Sequence, residues 1–195
     1  MTLRGAALSR MIPEVASPDI TEDRLEDHVC NSSQLHQRIR AMEIAVQAAE
    51  LLARPPIIEA LSGISNASAI SIYREVNAKR APRGQLPHEP TYYMSRADIH
   101  LDSVWLLKVY LLLRHGGTES PFAILKAFKE YRVLRNENVA ISFDRFYYLV
   151  RHFEAGRVLK LATCSKCDCD YLYRDMELPD ENKLCPICNY KPAKK

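Results

Sequence analysis

Two Cys-x-x-Cys pairs near the C-terminal end constrain the fold of this chain more than any other feature. The pairs are Cys164–Cys167 and Cys185–Cys188, and 17 residues separate them. This spacing is typical of a tetrahedral zinc site. Four thiolates fill the coordination shell of zinc and leave no position for a substrate, so the expected role of the metal is structural. The sequence therefore predicts a small C-terminal module that is held together by one zinc ion.

Three other chemistries are open to these cysteines. A redox-active Cys-x-x-Cys motif needs only one pair and is expected beside a βαβ pattern, which the surrounding sequence lacks. Two disulfide bonds would need an oxidising compartment, and the N-terminus has no apolar stretch typical of a secretory signal. A catalytic metal would need an open coordination position. Cys169, two residues after Cys167, is a further thiol that could replace a ligand or bind metal adventitiously.

Length and charge set only broad limits. The 195 residues suffice for one domain of ordinary size and a small additional module. The net charge of +3 is compatible with nucleic-acid binding but does not by itself indicate it. The longest apolar run, residues 106–113, contains Lys108 and is too short to cross a bilayer. We therefore expect a cytoplasmic protein without a membrane segment.

The sequence contains none of the common enzyme motifs. It has no Gly-rich phosphate loop, no Gly-x-Ser-x-Gly elbow and no His-Glu-x-x-His zinc helix. The six histidines are scattered along the chain, and none forms a recognisable pair with a candidate nucleophile. We therefore expect a protein that is not an enzyme and has neither catalytic residues nor a small-molecule substrate.

The first predicted helix has an unusually wide apolar surface. Its apolar residues recur at steps of four and three from Leu35 onward, and the helix should end before Pro55. Ser32 or Ser33 is expected to cap it, after a polar, mobile tail over residues 1–32. One side is expected to meet the core and the other a partner helix, unless both sides are core. The candidate partner-binding residues are Leu35, Ile39, Met42 and Val46.

Residues 56–79 have the layout of a helix-turn-helix. A short helix is followed by a turn at Gly63 and a second helix that Ser65 caps. In the second helix, the predicted buried side consists of Ala69, Ile72, Tyr73 and Val76. Small or cationic residues face outward, which suits entry into the DNA major groove. A plain helical hairpin is the alternative.

A basic, proline-rich linker follows this pair of helices. Its three cations are suited to contacts with backbone phosphates, although a solvated linker would have the same composition. Further lysines lie around and after the predicted zinc module. The candidate DNA-binding residues are Ser71, Arg74, Lys79, Arg80, Arg83, Lys166, Lys191, Lys194 and Lys195.

Three further helices and a strand complete the predicted fold. A capping box of Ser95 and Asp98 opens a helix that ends at His115, with Trp105 and the following leucines at the centre of the core. Later helices are predicted over 120–134 and 142–155, and a strand over 158–161. The fold class is mainly α, with a zinc-ribbon-like module at the C-terminus. The predicted divisions are a tail over 1–32, a helical DNA- and partner-binding domain over 33–157 and a four-cysteine zinc-binding module over 158–195.

These features, in this order, resemble the FlhC family, one subunit of the bacterial flagellar master regulator. The resemblance covers roughly residues 35–192 and includes the two cysteine pairs. An aromatic residue common in the family is replaced by Arg96, and the first 30 or so residues look like an extension. The other matching motifs are the Ile64-Ser65 turn, Ile72-Tyr73-Arg74-Glu75, Gly84-Gln-Leu-Pro87 and Tyr93-Met94-Ser95.

The resemblance implies a transcriptional activator that works in a hetero-oligomer with FlhD. Such a complex binds promoter DNA of flagellar operons and recruits RNA polymerase. Zinc on Cys164, Cys167, Cys185 and Cys188 would then be structural and would help to shape the DNA-binding surface. Two rival hypotheses remain: a zinc-stabilised interaction adaptor without sequence-specific DNA binding, and a zinc enzyme with an open metal position.

Overall fold

The fold is mainly helical, as predicted, with a two-stranded hairpin near the C-terminal end. The computed structural model describes residues 22–156, 158–174, 185 and 188, with side chains from residue 33 onward. Two compact units divide the chain, residues 1–37 and 38–195. No helix among the described residues has the length and apolar composition needed to cross a membrane. The elements are α1 (Glu22–Glu50), α2 (Pro55–Ser62), α3 (Asn66–Asn77), a 3-10 helix (Pro90–Met94), α4 (Ala97–His115), α5 (Ser120–Leu134), α6 (Phe143–Glu154), β1 (Leu159–Thr163) and β2 (Asp170–Arg174).

Helix α1 begins earlier than predicted. It starts at Glu22, so Ser32 and Ser33 lie inside the helix and neither is its cap. The prediction depended on an apolar face, and residues 22–32 are mostly polar, although they contain no glycine or proline to interrupt a helix. The predicted tail over 1–32 is thus helical from Glu22, and residues 1–21 lie outside the described residues.

The pair α2 and α3 forms as predicted around its glycine turn. Gly63 adopts a left-handed φ of +75° and donates its N–H to Glu59 O at 2.8 Å. Ser65 Oγ accepts the N–H of Ser68 at 3.3 Å and caps α3. The placement of Val76 on the buried side was wrong, because this residue lies in the last turn of α3 and is 38% exposed.

Helices α4, α5 and α6 provide most of the aromatic core. Leu106 and Leu107 are fully buried, whereas Trp105 is half-buried and Leu112 is 73% exposed, so the apolar run of α4 is only partly core. Two carboxylates of these helices, Asp102 on α4 and Asp144 on α6, are buried. Asp102 accepts the hydroxyl of Tyr131 at 2.6 Å and forms an ion pair with the guanidinium of Arg135, directly after α5. A buried charge that has both a hydrogen bond and an ion pair is tolerated in a core.

The predicted capping box at the start of α4 does not form. Ser95 Oγ donates to Tyr92 O at 2.7 Å and so closes the preceding 3-10 helix. Asp98 is paired instead with Arg96, the residue that occupies the N-cap position, at 2.6 Å. The local motif was correct in its spacing, but the short 3-10 helix before it competes for the same serine.

Strands β1 and β2 form an antiparallel hairpin that packs on the helical core. Leu159 and Leu172 are buried in the same apolar cluster as the helices. His100 of α4 is only 3% exposed, and its Nε2 accepts the backbone N–H of Leu172 at 2.9 Å. The proton of the neutral imidazole therefore resides on Nδ1, which has no hydrogen-bond partner among the described residues. Burial lowers the pKa of His100 to about 4.

Acidification is expected to destabilise the docked hairpin through His100. Above pH 6.5 the imidazole is neutral in both the folded and the unfolded state, so its contact is fully present. As the pH falls from 6.5 towards 4, only the unfolded chain takes up the proton, and up to about 3 kcal/mol of stability is lost. Urea unfolding of the wild type and of His100→Gln at several pH values measures this loss. The glutamine keeps an acceptor without titrating, so its profile should be flatter; parallel profiles would contradict the assignment.

Candidate metal centre and nucleic-acid surface

The structure brings the four predicted cysteines together. Their sulfur atoms all lie within 4.8 Å of one another, and the Sγ atoms of Cys167 and Cys185 are 3.4 Å apart. Tetrahedral zinc with Zn–S bonds of about 2.3 Å would place its sulfur ligands about 3.8 Å from one another. A disulfide would require about 2.05 Å, and all four cysteines are free thiols. The donor set and its spacing fit a tetrahedral thiophilic metal ion.

The hairpin loop positions the first cysteine pair. Cys164 donates its N–H to Cys169 O at 3.0 Å, and Asp168 donates its N–H to Cys164 O at 2.9 Å. Asp168 adopts a left-handed φ of +55°, which reverses the chain immediately after Cys167. These bonds close a turn from which the two ligand sulfurs project, while the thiol of Cys169 does not belong to the four-sulfur group.

The electrostatics of the group favour a bound cation. Backbone amides, first of all that of Cys185, lower the pKa of the Cys164 thiol to about 6 and so favour its thiolate. The sulfur of Cys167 and the other neighbouring thiols raise the pKa of Cys188 to about 12. Four thiolates this close together repel one another, so without a cation the group favours protonated thiols. A divalent cation would favour the thiolates instead.

Three of the predicted DNA-binding residues line one cavity. Arg74 of α3 lines a space of about 300 Å³ together with Arg80 and Arg83 of the linker. Pro55 and Pro56 at the start of α2 also line it. Among the described residues, no carboxylate lines this cavity and none of the three arginines forms an ion pair. Uncompensated guanidinium groups around one concave surface are suited to a phosphate.

The other predicted DNA-binding residues are more dispersed. Ser71 and Lys79 are exposed but do not line the cavity, and Ser71 Oγ donates to Glu75 Oε1 at 3.1 Å. Lys166 is exposed on the loop between the first two cysteines. The remaining candidates, Lys191, Lys194 and Lys195, lie outside the described residues.

Sequence reasoning missed the ion pair beside the cavity. Arg54 directly precedes Pro55, where the sequence predicted only the end of the first helix. Its Nε lies 2.6 Å from Asp144 Oδ2, and both side chains are 11% exposed. The two residues are 90 positions apart, and no local pattern connects them.

The predicted partner-binding residues of α1 differ in exposure. In the first unit, Leu35 is 56% exposed. In the second unit, Ile39 and Met42 are 57% and 49% exposed, whereas Val46 is partly buried against the core. Unpartnered apolar side chains of this size are suited to a protein interface.

A second apolar surface lies on α4, where the sequence predicted core. Trp105, Val109 and Leu112 line a depression of about 500 Å³ together with Leu161 of β1. Aliphatic and aromatic atoms provide nearly all of its lining. The exposure of Leu112 is therefore part of a continuous apolar surface.

Fold and site together define a mainly helical protein with a C-terminal four-cysteine group able to bind a metal ion. The chain belongs to the FlhC family: the family model described as "Flagellar transcriptional activator (FlhC)" matches residues 31–195. This confirms the resemblance in the sequence.

Relatives from several bacteria share most of the chain. The flagellar transcriptional regulator FlhC of Cupriavidus pinatubonensis is 29% identical over 149 residues, which are 75% of this chain and 70% of the relative. The FlhC of Gallionella capsiferriformans is 26% identical over 78% of this chain and 85% of its own length. That of Proteus mirabilis is 26% identical over 75% of this chain and 77% of the relative. These proteins are named transcriptional regulators, a non-enzymatic role, so the chain is a regulator of this family and not an enzyme.

Proposed function

We propose that this chain is a promoter-binding subunit that activates flagellar operons in the cytoplasm. It binds DNA in a hetero-oligomer with an FlhD-like protein and recruits RNA polymerase. The observation that carries the proposal is the cavity lined by Arg74, Arg80 and Arg83, which presents three uncompensated positive charges beside α3, the second helix of the predicted helix-turn-helix. The family match supports the regulatory role.

The proposed DNA contacts divide into two kinds. Ser71 and Arg74 are exposed on α3, from which Ser71 would contact the bases of the major groove and Arg74 the adjacent backbone. Lys79, Arg80 and Arg83 anchor phosphates, which fixes the orientation of α3 without reading sequence. A second group of phosphate contacts comes from the metal-site region and its continuation: Lys166, Lys191, Lys194 and Lys195.

The proposed metal is one structural zinc ion per chain. Cys164 and Cys167 on the hairpin loop, with Cys185 and Cys188, would hold it through four thiolates. Bound zinc would link the hairpin through metal–sulfur bonds to the chain that follows it. It would contribute folding free energy and leave no open coordination position.

Fluorescence anisotropy of a labelled flagellar promoter duplex tests the proposed function. The chain is assayed alone and co-purified with the FlhD-like protein of the same genome, over a salt series. We expect binding that persists against excess random duplex and weakens steeply with salt. Equal affinity for promoter and random duplex would overturn the activator proposal.

The exposed apolar residues of α1 are expected to bind the FlhD-like subunit. Met42→Glu places a charge on this surface and should abolish co-purification of the partner, without affecting the fold because the side chain is 49% exposed. The comparison variant is Leu112→Glu, which places the same charge on the apolar depression of α4. If Leu112→Glu loses the partner and Met42→Glu does not, the interface lies on α4 and not on α1.

One observation favours the alternative function of an interaction adaptor. The depression lined by Trp105, Leu112 and Leu161 is larger and more apolar than the arginine-lined cavity. A protein that worked only through such a surface would form a stable complex with a helical partner and show no salt-dependent DNA binding. The same anisotropy experiment separates the two functions.

A further inference from the structure

The linker that carries Arg80 and Arg83 is held in place by a side chain from another part of the chain. Arg54 Nη1 donates to Gly84 O at 3.2 Å and to Gln85 O at 3.1 Å. Gly84 adopts φ +117°, a conformation available almost only to glycine, and glycine gains flexibility whenever its contacts are lost. These two hydrogen bonds fix the linker immediately after Arg83, while Ala81 and Leu86 pack against the core on either side.

Arg54 is itself fixed by the first turn of α6. Its Nε donates to Asp144 Oδ2 at 2.6 Å, and its backbone N–H donates to Asp144 Oδ1 at 3.1 Å. Both side chains are nearly buried, at 11% exposure. One guanidinium thus connects α6, the start of α2 and the linker. Because Asp144 neutralises Arg54, the charge of the neighbouring cavity comes from the three arginines that line it.

The three arginine side chains are the charged donors that this cavity offers to an anion. Pro55 and Pro56, which also line it, have no backbone N–H, so these two residues at the start of α2 supply no amide donor there. Arg74 lies on the rigid helix α3, whereas Arg80 and Arg83 lie on the linker. Three guanidinium groups can bind one phosphate only if the linker stays opposite α3.

We propose that this cavity seats a backbone phosphate of duplex DNA, and that Arg54, held by Asp144, is its positioning residue. The inference rests on the proposed DNA-binding function and assigns the atoms that arrange the contact. Arg54 does not touch the DNA. Its fork of donors fixes two linker carbonyls, which places Arg80 and Arg83 across from Arg74.

The test is a double-mutant cycle on the full chain in complex with its FlhD-like partner. Arg54→Lys keeps the positive charge, but an ammonium group cannot bond Asp144 and two carbonyls in the geometry of a guanidinium. We expect it to weaken duplex binding about tenfold in the wild-type background and to have little effect after Arg80→Ala and Arg83→Ala, since no linker arginine then remains to be positioned. Asp144→Asn, which keeps the size of the side chain, is the second variant and should behave alike.

The probes are a labelled flagellar promoter duplex and a random duplex of equal length. Thermal unfolding and metal content accompany every variant, to show that the fold is retained. An equal loss of affinity in both backgrounds would assign Arg54 a general structural role and overturn the proposal. So would unchanged affinity of Arg54→Lys.

Failure of the proposed function gives a different result. If promoter and random duplex bind equally, sequence-specific activation fails, yet the cycle on random duplex still decides whether the cavity seats a phosphate. If neither duplex binds, both proposals fail. Inorganic pyrophosphate is the control without DNA. One outcome is that pyrophosphate stabilises the wild type against heat but not the Arg80→Ala, Arg83→Ala variant. If duplex binding is at the same time insensitive to Arg54→Lys, the cavity binds a free phosphate compound and not DNA.

Discussion

Cys185→Ser is expected to release the metal and unfold the C-terminal module. Cys185 is 1% exposed, and its sulfur lies 3.4 Å from that of Cys167, so a serine hydroxyl at this position removes a thiolate from the middle of the group. A structural zinc ion contributes on the order of 10 kcal/mol to folding, which a small two-stranded module cannot replace. Metal content should fall below one ion per chain, and limited proteolysis should cleave after β2.

Cys169→Ser is the matched control for this result. Cys169 lies two residues from Cys167 but outside the four-sulfur group, and its contribution to the loop is a backbone carbonyl that serine retains. This variant should keep its metal and its resistance to protease. Retention of a full metal ion in Cys185→Ser, or its loss in Cys169→Ser, would show that the ligand set is a different one.

Removing the three arginines of the cavity together is expected to give the largest loss of DNA affinity. The variant Arg74→Ala, Arg80→Ala, Arg83→Ala deletes three uncompensated charges around one cavity. Charge-assisted bonds to phosphate are strong, so we expect promoter affinity to fall on the order of 100-fold. The slope of log affinity against log salt should become shallower by about 1, because the cavity seats one phosphate and each lost phosphate contact changes the slope by about 0.9. Arg74→Ala alone should weaken binding while leaving the fold intact, because its side chain is exposed.

Three other exposed cations provide the control for net charge. Lys126→Ala, Lys129→Ala, Arg151→Ala changes the charge of the chain by the same amount on α5 and α6. If the effect comes from the cavity, this variant should bind promoter DNA almost as tightly as the wild type. A comparable loss in both variants would mean that only the overall charge attracts DNA.

The sequence was sufficient where neighbouring residues decide the structure. The turn at Gly63 and the cap at Ser65 depend on the backbone freedom of one residue and on one hydroxyl three positions from its donor. Ser142 Oγ accepts the N–H of Arg145 at 3.4 Å and caps α6 in the same local way. The capping box at Ser95 shows the limit, because a preceding 3-10 helix took its hydroxyl.

What the sequence determined by itself is the membership of the four-cysteine group, the order of the helices and the presence of cations after α3. Each of these is read from the positions of residues along the sequence, which do not depend on the conformation of the chain. Only the tertiary structure decided that Arg74, Arg80 and Arg83 surround one cavity, that Arg54 is paired with Asp144, and that Leu112 faces outward. These contacts join residues far apart in the chain, and which pairs meet depends on how the helices pack.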